Sequence, residues 1–288
     1  MPDSSLSLPK ESMLAVRDSA RAHAFDHYLA ALLAPREYRA DLIALAAFLG
    51  EIERIPLLVN DAALGEIRIR WWLDWLEEVD GQGRSGNPVA DVLADVIRRR
   101  RLPVELLADL VEARAFEFYA HPFADKPSFH DYLYKTGGAS ALLAAQVLGR
   151  CQADGDGEDK MRALGCAYGA ARQLLRLPHL ASRGRWTLTS GEVEVEASAL
   201  LHQAERERAD ARRSEAIVEA WRLLKKARDL LGQDVPDAFR MGAGLPAALT
   251  EPYLLALEQQ EDWLTEAADI APLKRVWRLW RAQRTGRP

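Results

Sequence analysis

Apolar residues return every three or four positions along nearly the whole chain, with alanine and leucine foremost, and alternating β-branched runs are almost absent apart from a brief stretch at 192–196. That spacing leaves little choice but amphipathic helices packed on one another, an all-α fold. About ten helices are expected. Helix-breaking residues fall at Pro35, 81–88, Pro103, 122–127, 155–157, 182–184, 232–236 and 242–246, and none of these breaks is long enough to be a linker between domains. No fixed-period repeat is visible. With 288 residues, 49% of them hydrophobic and 28% charged, the chain reads as one domain over 1–288 built on a single sizeable core. Residues 1–19 are expected to be flexible, and residues 273–288 to form an amphipathic basic tail.

Charge and composition then remove several classes of function. A formal net charge of −5 argues against a general nucleic-acid binder, which carries a basic excess. Cys151 and Cys166 are the only cysteines, too few for a disulfide framework or a cysteine-rich zinc site, which favours a reducing compartment. The N-terminus lacks the basic start and apolar core of a signal peptide, and no apolar run reaches the roughly 18 residues that span a bilayer. The expected location is cytoplasmic, with any membrane contact peripheral, on the inner face of the cell membrane. His121, His130, His179 and His202 show no metal-ligand spacing, and Ser140 and Ser190 sit in no nucleophile elbow. Gly137-Gly138 lacks the pattern of a phosphate loop and reads as close helix packing. Arg98–Arg101 reads as a solvated helix end, its cations facing the negative end of the helix dipole.

The stretch 164–188, LGCAYGAARQLLRLPHLASRGRWTL, carries the most chemistry. Leu164, Ala167, Ala171, Leu174, Leu175 and Leu180 recur near helical spacing, and Arg172 and Arg176, four residues apart, share one face. This stretch resembles the second aspartate-rich motif of the squalene/phytoene synthases, all-helical enzymes that join two prenyl diphosphates head to head. Leu164, Gly165, Ala167, Leu174, Gly184, Arg185 and Leu188 fall into its register without a gap. In that register the two magnesium-binding aspartates become Arg176 and Leu180, the glutamate becomes His179, and Pro178 stands between. The stretch 35–57 resembles the first motif, with Ala44, Leu45, Ala47 and Phe48 as its apolar lead-in. Glu53 then holds the first aspartate position, Arg54 the next and Leu57 the last, with Pro56 between. Trp71 and Trp72 match a family Trp-Trp helix. Glu117, Tyr119, Tyr132, Tyr134, Thr136, Gly138 and Gly149 match a further region, so the likeness covers roughly residues 20–190.

The resemblance implies a multi-helix bundle of the isoprenoid synthase type around a central cavity. Glu53 and Leu57 would mark the first motif's wall, Arg172, Arg176, Leu180 and Arg185 the second's, and Phe48, Trp71, Trp72 and Tyr134 are candidates to line the space between. Trp71, Trp72 and Trp75 are most simply read as core anchors, with cavity lining as the alternative. Mg²⁺ usually takes one or two carboxylates per ion, and here one helix offers Glu53 while the facing one offers Arg176. Pro56 and Pro178 each remove a backbone hydrogen bond and kink or end their helices. No metal, cofactor or catalytic residue is therefore expected. An ion pair between Glu53 and Arg176 is expected to replace the metal bridge. The sequence is similar to a branch of the family that lacks the aspartates and acts in assembly of respiratory complex I. The preferred reading is a non-enzymatic factor of that kind, meeting a respiratory-complex subunit or assembly intermediate, or a lipid surface. The alternative is a prenyltransferase with a rebuilt, Mg²⁺-dependent site. The tail leaves two readings open. Trp277 and Trp280, with Lys274, Arg275, Arg278 and Arg281 around them, suit a helix lying on anionic lipid, or the same amphipathic helix docks on the protein's own core.

Overall fold

A computed structural model describes residues 10–288 except 82, 120–122, 151–155, 190–194, 198–199 and 201. Cys151, His121, Ser190 and most of the 192–196 stretch thus lie outside the described residues, as do residues 1–9. The described residues contain no strand. In chain order the helices are α1 Lys10–His23, α2 Phe25–Leu33, α3 Arg36–Leu58, α4 Ala62–Glu77, α5 Pro88–Arg100, α6 Val104–Ala113, α7 Lys126–Leu133, α8 Ala139–Val147, α9 Asp156–Ala181, α10 Gln203–Leu231, α11 Asp237–Arg240, α12 Thr250–Glu258 and α13 Pro272–Thr285. Of the N-terminal stretch expected to be flexible, residues 10–19 belong to α1, which buries Val16 and Ala20 against the core.

Two long helices form the middle of the bundle. In α3 the segment from Ala44 to Gly50 is buried on every side, followed by Ile52 and Ile55, and in α9 Ala167, Tyr168, Ala170, Ala171, Leu174, Leu177 and Leu180 are buried. A helix apolar all round belongs in an interior. Accordingly α1, α2 and α5 pack around α3, while α8, α10 and α12 pack around α9. The helix starts follow from local chemistry. Asn87 caps α5 by accepting from the Val89 and Ala90 amides, with Pro88 as its first residue, and Asp125 and Ser128 form a reciprocal capping box on α7. Pro56 falls in the last turn of α3, which ends two residues later, and Pro178 in the last turn of α9, so each proline closes its helix.

Helices α7 and α8 are joined through a π-helical turn at Tyr134–Gly138, and this turn lies against α9. A side-chain carbon on Gly137 would sit 2.4 Å from the Gly165 carbonyl oxygen, and one on Gly165 would sit 2.1 Å from that of Gly137. Only hydrogen fits there, so Gly137 and Gly165 set how closely the two backbones approach; the sequence predicts close packing at Gly137-Gly138 but does not mark Gly165 as the partner.

The arginine run 98–101 departs from its solvated reading. Arg99 and Arg100 reach α3 and donate to the buried carboxylate of Asp41 at 2.5 and 2.7 Å, and Arg100 also lies over the Tyr38 ring at 4.7 Å. Arg98, paired with Asp95, and Arg99 and Arg101 keep exposed side chains, so the solvated reading fails chiefly at Arg100.

The tail helix α13 is docked. Leu279 and Ala282 are fully buried, and Gln283 donates to the Leu33 carbonyl at 2.9 Å. Arg275 and Arg278, expected on a lipid-facing surface, turn inward instead. Arg275 lies between the Phe25 and Tyr253 rings with its Nε 3.5 Å from the buried Asp26 carboxylate, and Arg278 donates to Glu251 at 2.7 Å. Leu273, Val276, Trp277 and Trp280 remain on the outer face, with Arg281 stacked over Trp277 at 5.3 Å.

Candidate functional site: an arginine cluster between the two central helices

Glu53, one turn before the end of α3, points at α9, where Arg172 and Arg176 project from successive turns. Arg172 donates to Glu53 Oε1 at 3.0 Å from Nη2. Arg176 has its Nε 3.7 Å from the same oxygen and donates from Nη2 to the Glu53 main-chain carbonyl at 2.8 Å. Its shortest contact is with a residue outside both motifs: Nη2 meets Glu117 Oε2 at 2.6 Å and Nη1 meets Oε1 at 3.2 Å, a two-pronged grip. The expected Glu53–Arg176 pair thus exists only as a longer contact. Each motif residue has taken a nearer partner, Arg172 for Glu53 and Glu117 for Arg176.

Glu117 is fully buried in a single-turn helix, Arg114–Phe118, that follows α6. It also accepts from Arg114 at 2.7 Å and, through a very short contact, from the Tyr132 hydroxyl of α7. Arg114 donates in turn to the Tyr132 oxygen at 2.6 Å. Gln173 accepts from Arg176 at 2.9 Å. Two carboxylates are therefore enclosed by three guanidiniums. Burial alone would push both carboxyls up. The charges of Arg172, Arg176 and Arg114 outweigh it at Glu53, whose pKa is held down to about 2, and Arg176 and Arg114 likewise hold Glu117 below the usual carboxylate range. Burial and the adjacent Glu117 charge raise the Tyr132 phenol, keeping it a proton donor.

Arg185, the arginine of the family's Gly-Arg pair, has a different task. It donates to the carbonyls of Pro56, Val59 and Asn60 at 2.7, 3.0 and 3.3 Å. Those are oxygens at and beyond the C-terminus of α3 that no further helical turn can satisfy. Arg54, in the motif's second position, is also diverted: its Nη1 donates to His23 Nε2 at 2.6 Å, and burial together with that guanidinium lowers the histidine's pKa. Beneath the cluster a second polar knot joins α2, α9 and α12, in which the Asp26 carboxylate accepts from the Tyr168 and Tyr253 hydroxyls at 2.8 and 2.7 Å.

The other expected site residues divide. Leu180 is fully buried and Leu57 half-buried. Phe48 and Trp72 are buried edge to face, centroids 5.2 Å apart, and with Trp75 they serve as core anchors. Trp71 is instead exposed beside an outer groove of about 490 Å³ with Arg54, Leu58 and Ile67. Tyr134 lies in another outer groove under Arg162, 4.1 Å from its ring. Both rings are exposed, Trp71 with its centroid 5.0 Å from that of the buried Trp72 and Tyr134 beneath Arg162, so neither lines the interior. Arg114, Gln173 and the Asp26 knot carry no motif that could have marked them, whereas Glu117 was visible as the glutamate standing for a family aspartate.

Between α2, α3, α8 and α9 there remains a cavity of about 30 Å³, lined by small and apolar side chains such as Ala46, Leu49, Ala141 and Leu164. That is small against roughly 300–1,000 Å³ for ligand pockets. Magnesium does not fit this donor set. Both carboxylates are already neutralised by guanidiniums within 3.0 Å, a divalent cation would be driven against three fixed positive charges, and no group of three or more His, Cys, Asp or Glu capable of holding a metal occurs among the described residues.

A profile of the squalene/phytoene synthase family matches residues 20–281. Among solved structures, the chain superposes on a ligand-bound dehydrosqualene synthase with a TM-score of 0.72 at 14% identity over 96% of each chain. It superposes on squalene synthase HpnC from Alicyclobacillus acidocaldarius with a TM-score of 0.66 at 19% identity, covering 88% of this chain and 96% of that one. These likenesses establish the isoprenoid synthase fold. In sequence the chain is similar to assembly factor 6 of NADH dehydrogenase (ubiquinone) complex I from Bos taurus, 25% identical over 165 residues, 57% of this chain and 49% of that protein. The homolog in Drosophila melanogaster is 27% identical over 270 residues, 88% of this chain and 79% of that one. The chain spans about half the length of the bovine protein and 39% of the human one. With a family match running through α1 to α13 and both motif helices in place, the chain belongs to the squalene/phytoene synthase family.

Proposed function

We propose that this protein is a non-catalytic member of the family that acts in the assembly of respiratory complex I, binding a subunit or assembly intermediate at the membrane surface. The observation that carries the proposal is the arginine cluster: the carboxylates that would grip magnesium diphosphate are held by guanidiniums from the facing helix and its neighbour. The similarity to complex I assembly factors points the same way.

An assembly factor needs surfaces rather than a pocket, and two exposed apolar faces are present. On α4, Leu64, Ile67 and Trp71 stand at helical spacing on the solvent side, next to Leu58 at the end of α3; an apolar stripe of this kind suits a protein partner. On α13, Leu273, Val276, Trp277 and Trp280 face outward with Lys274 and Arg281 at the margin, which suits peripheral contact with anionic lipid. No helix among the described residues is long and apolar enough to cross a membrane.

The test has two parts. Purified protein incubated with farnesyl or geranylgeranyl diphosphate and Mg²⁺ should release no diphosphate, and turnover would restore the prenyltransferase reading. Deleting the gene in its own host should lower assembled complex I on native gels, with recovery by the wild-type protein and also by a Glu53→Gln variant. Normal complex I in the deletion strain would overturn the assembly role.

A further inference from the structure

Where α13 ends, a pocket of about 330 Å³ opens between it and the start of α12, lined by Ala248, Glu251, Arg278, Arg281, Thr285 and Arg287 among others. Glu251 accepts from Arg228 and Arg278, each at 2.7 Å. Burial would raise this carboxyl, but the bonds from those two arginines hold it below the usual range. Arg281 and Arg287 have no carboxylate partner among the described residues, and Arg281 is held only by the Trp277 ring. Four guanidiniums therefore surround one carboxylate. Even with a terminal carboxylate on Pro288, whose oxygen accepts from Arg228 at 2.9 Å, four cations face two anions.

The position of this excess charge matters. Successive residues on a helix turn by 100°, so Leu273, Val276, Trp277 and Trp280 form one outward stripe opposite the buried Leu279 and Ala282, and Arg281 falls on the flank between stripe and pocket. We propose that this pocket holds the phosphate of an anionic phospholipid, gripped by Arg281 and Arg287, while Trp277 and Trp280 rest beside it at headgroup level. The proposal rests on the membrane contact put forward above and gives that contact a lipid class. Guanidinium forks suit phosphate oxygens, and tryptophan settles at the boundary between headgroups and acyl chains. A flat stripe needs no release from the core to work, because its buried side and its outer side are different faces of α13.

The full chain would be floated with vesicles of phosphatidylcholine alone and with phosphatidylglycerol added. Arg281→Gln/Arg287→Gln is expected to weaken binding to the anionic vesicles by roughly a hundredfold. The charge-matched pair Lys274→Gln/Arg284→Gln, on the same helix outside the pocket, feels only the surface potential and should lose about thirtyfold or less. Equal losses from the two pairs would overturn the pocket and leave a diffuse basic surface. Trp277→Ser/Trp280→Ser reports on membrane contact itself and should reduce binding to both vesicle types. If the wild type floats with neither, the membrane reading fails. In that case thermal shifts with inorganic phosphate decide the pocket separately. Stabilisation that Arg281→Gln/Arg287→Gln abolishes would make the ligand a soluble phosphate and overturn the lipid assignment, and no stabilisation would overturn the pocket as a phosphate site.

Discussion

Removing Arg176 gives the sharpest test of the arginine cluster. Its side chain is only 5% exposed, and an Arg176→Met substitution keeps the length of the side chain while deleting the charge. Glu117 then loses its contacts at 2.6 and 3.2 Å and keeps only Arg114 and Tyr132. Hydrogen bonds to a charged group contribute about 1.5–3 kcal/mol each, and stranding one member of a buried pair costs about 3–5 kcal/mol. We therefore expect a loss of about 3–5 kcal/mol in urea unfolding followed by circular dichroism. Glu117→Gln should cost a similar amount, since it leaves Arg114 and Arg176 buried without their shared anion, and the double variant Glu117→Gln/Arg176→Met should recover about 2 kcal/mol or more of the sum. The contrasting cycle is Glu53→Gln/Arg176→Met. The Glu53 carboxylate approaches Arg176 no closer than 3.7 Å and retains Arg172 at 3.0 Å, and the 2.8 Å bond from Arg176 goes to the Glu53 main chain, which Glu53→Gln leaves in place. The coupling energy of the two side chains should therefore be about 1 kcal/mol or less. Equal couplings in the two cycles, or none between 117 and 176, would refute the partner assignment.

Acid should expose the same network. Glu53 has a pKa of about 2 in the folded chain against an ordinary 4.5, so the stability it contributes is complete above pH 4.5 and lost as pH falls toward 2. The difference is worth up to about 3 kcal/mol, and the wild type's acid sensitivity over that window should be visibly blunted in Glu53→Gln. At the helix crossing, Gly165→Ala should cost about 3 kcal/mol or more because the added carbon meets the Gly137 carbonyl, while Gly81→Ala, whose nearest atom would be 3.9 Å away, should change the thermal midpoint little. Arg185→Met should cost about 2–4 kcal/mol and selectively speed hydrogen exchange around the C-terminal end of α3, since three carbonyls at and beyond that end lose their donor. Deleting residues 273–288 should destabilise the whole fold rather than merely detach it from vesicles, because Leu279, Ala282 and Arg275 belong to the core.

Much of this architecture could be read before any coordinates. Helix breaks at Pro35, Pro103 and Pro236 fall just before α3, α6 and α11, since proline is tolerated at a helix start and disruptive inside. The glycine pair at 137–138 was recognisable as packing because no ligand motif competed for it. Partner choice inside the cluster was not readable. Register alone set Glu53 opposite Arg176, but an arginine side chain reaches several ångströms in any direction, and the single-turn helix carrying Glu117 brings a second carboxylate nearer. The tail was ambiguous for a related reason. Spacing put Arg275 and Arg278 with the other basic residues, yet whether a cation on a helix flank faces water or a buried carboxylate depends on what stands across from it. Asp26 and Glu251, far away in sequence, decided that.

Arginines at and beside one of the family's metal-ligand positions follow a consistent electrostatic logic. Two helices that present carboxylates to one another across a narrow gap repel unless something positive lies between them, and in a magnesium-dependent enzyme the ions supply that charge. Here Arg172 and Arg176 supply it covalently from α9, and Arg114 adds to it from the end of α6. On the proposed non-catalytic reading, this exchange takes the place of a bound cation and opposes binding of one, because every carboxylate oxygen gained by a guanidinium is denied to magnesium. Reversal should therefore take more than one change. Arg176→Asp alone would set a third carboxylate beside Glu53 and Glu117 with only Arg114 and Arg172 left to balance them, and should unfold the chain rather than build a site. Arg172→Gln/Arg176→Asp would expose Glu53 as well, and if that variant folds only when millimolar Mg²⁺ is present, the arginines have taken over the structural half of the metal's role. Folding that is indifferent to Mg²⁺ in this variant would show that the bundle no longer depends on charge balance at this point.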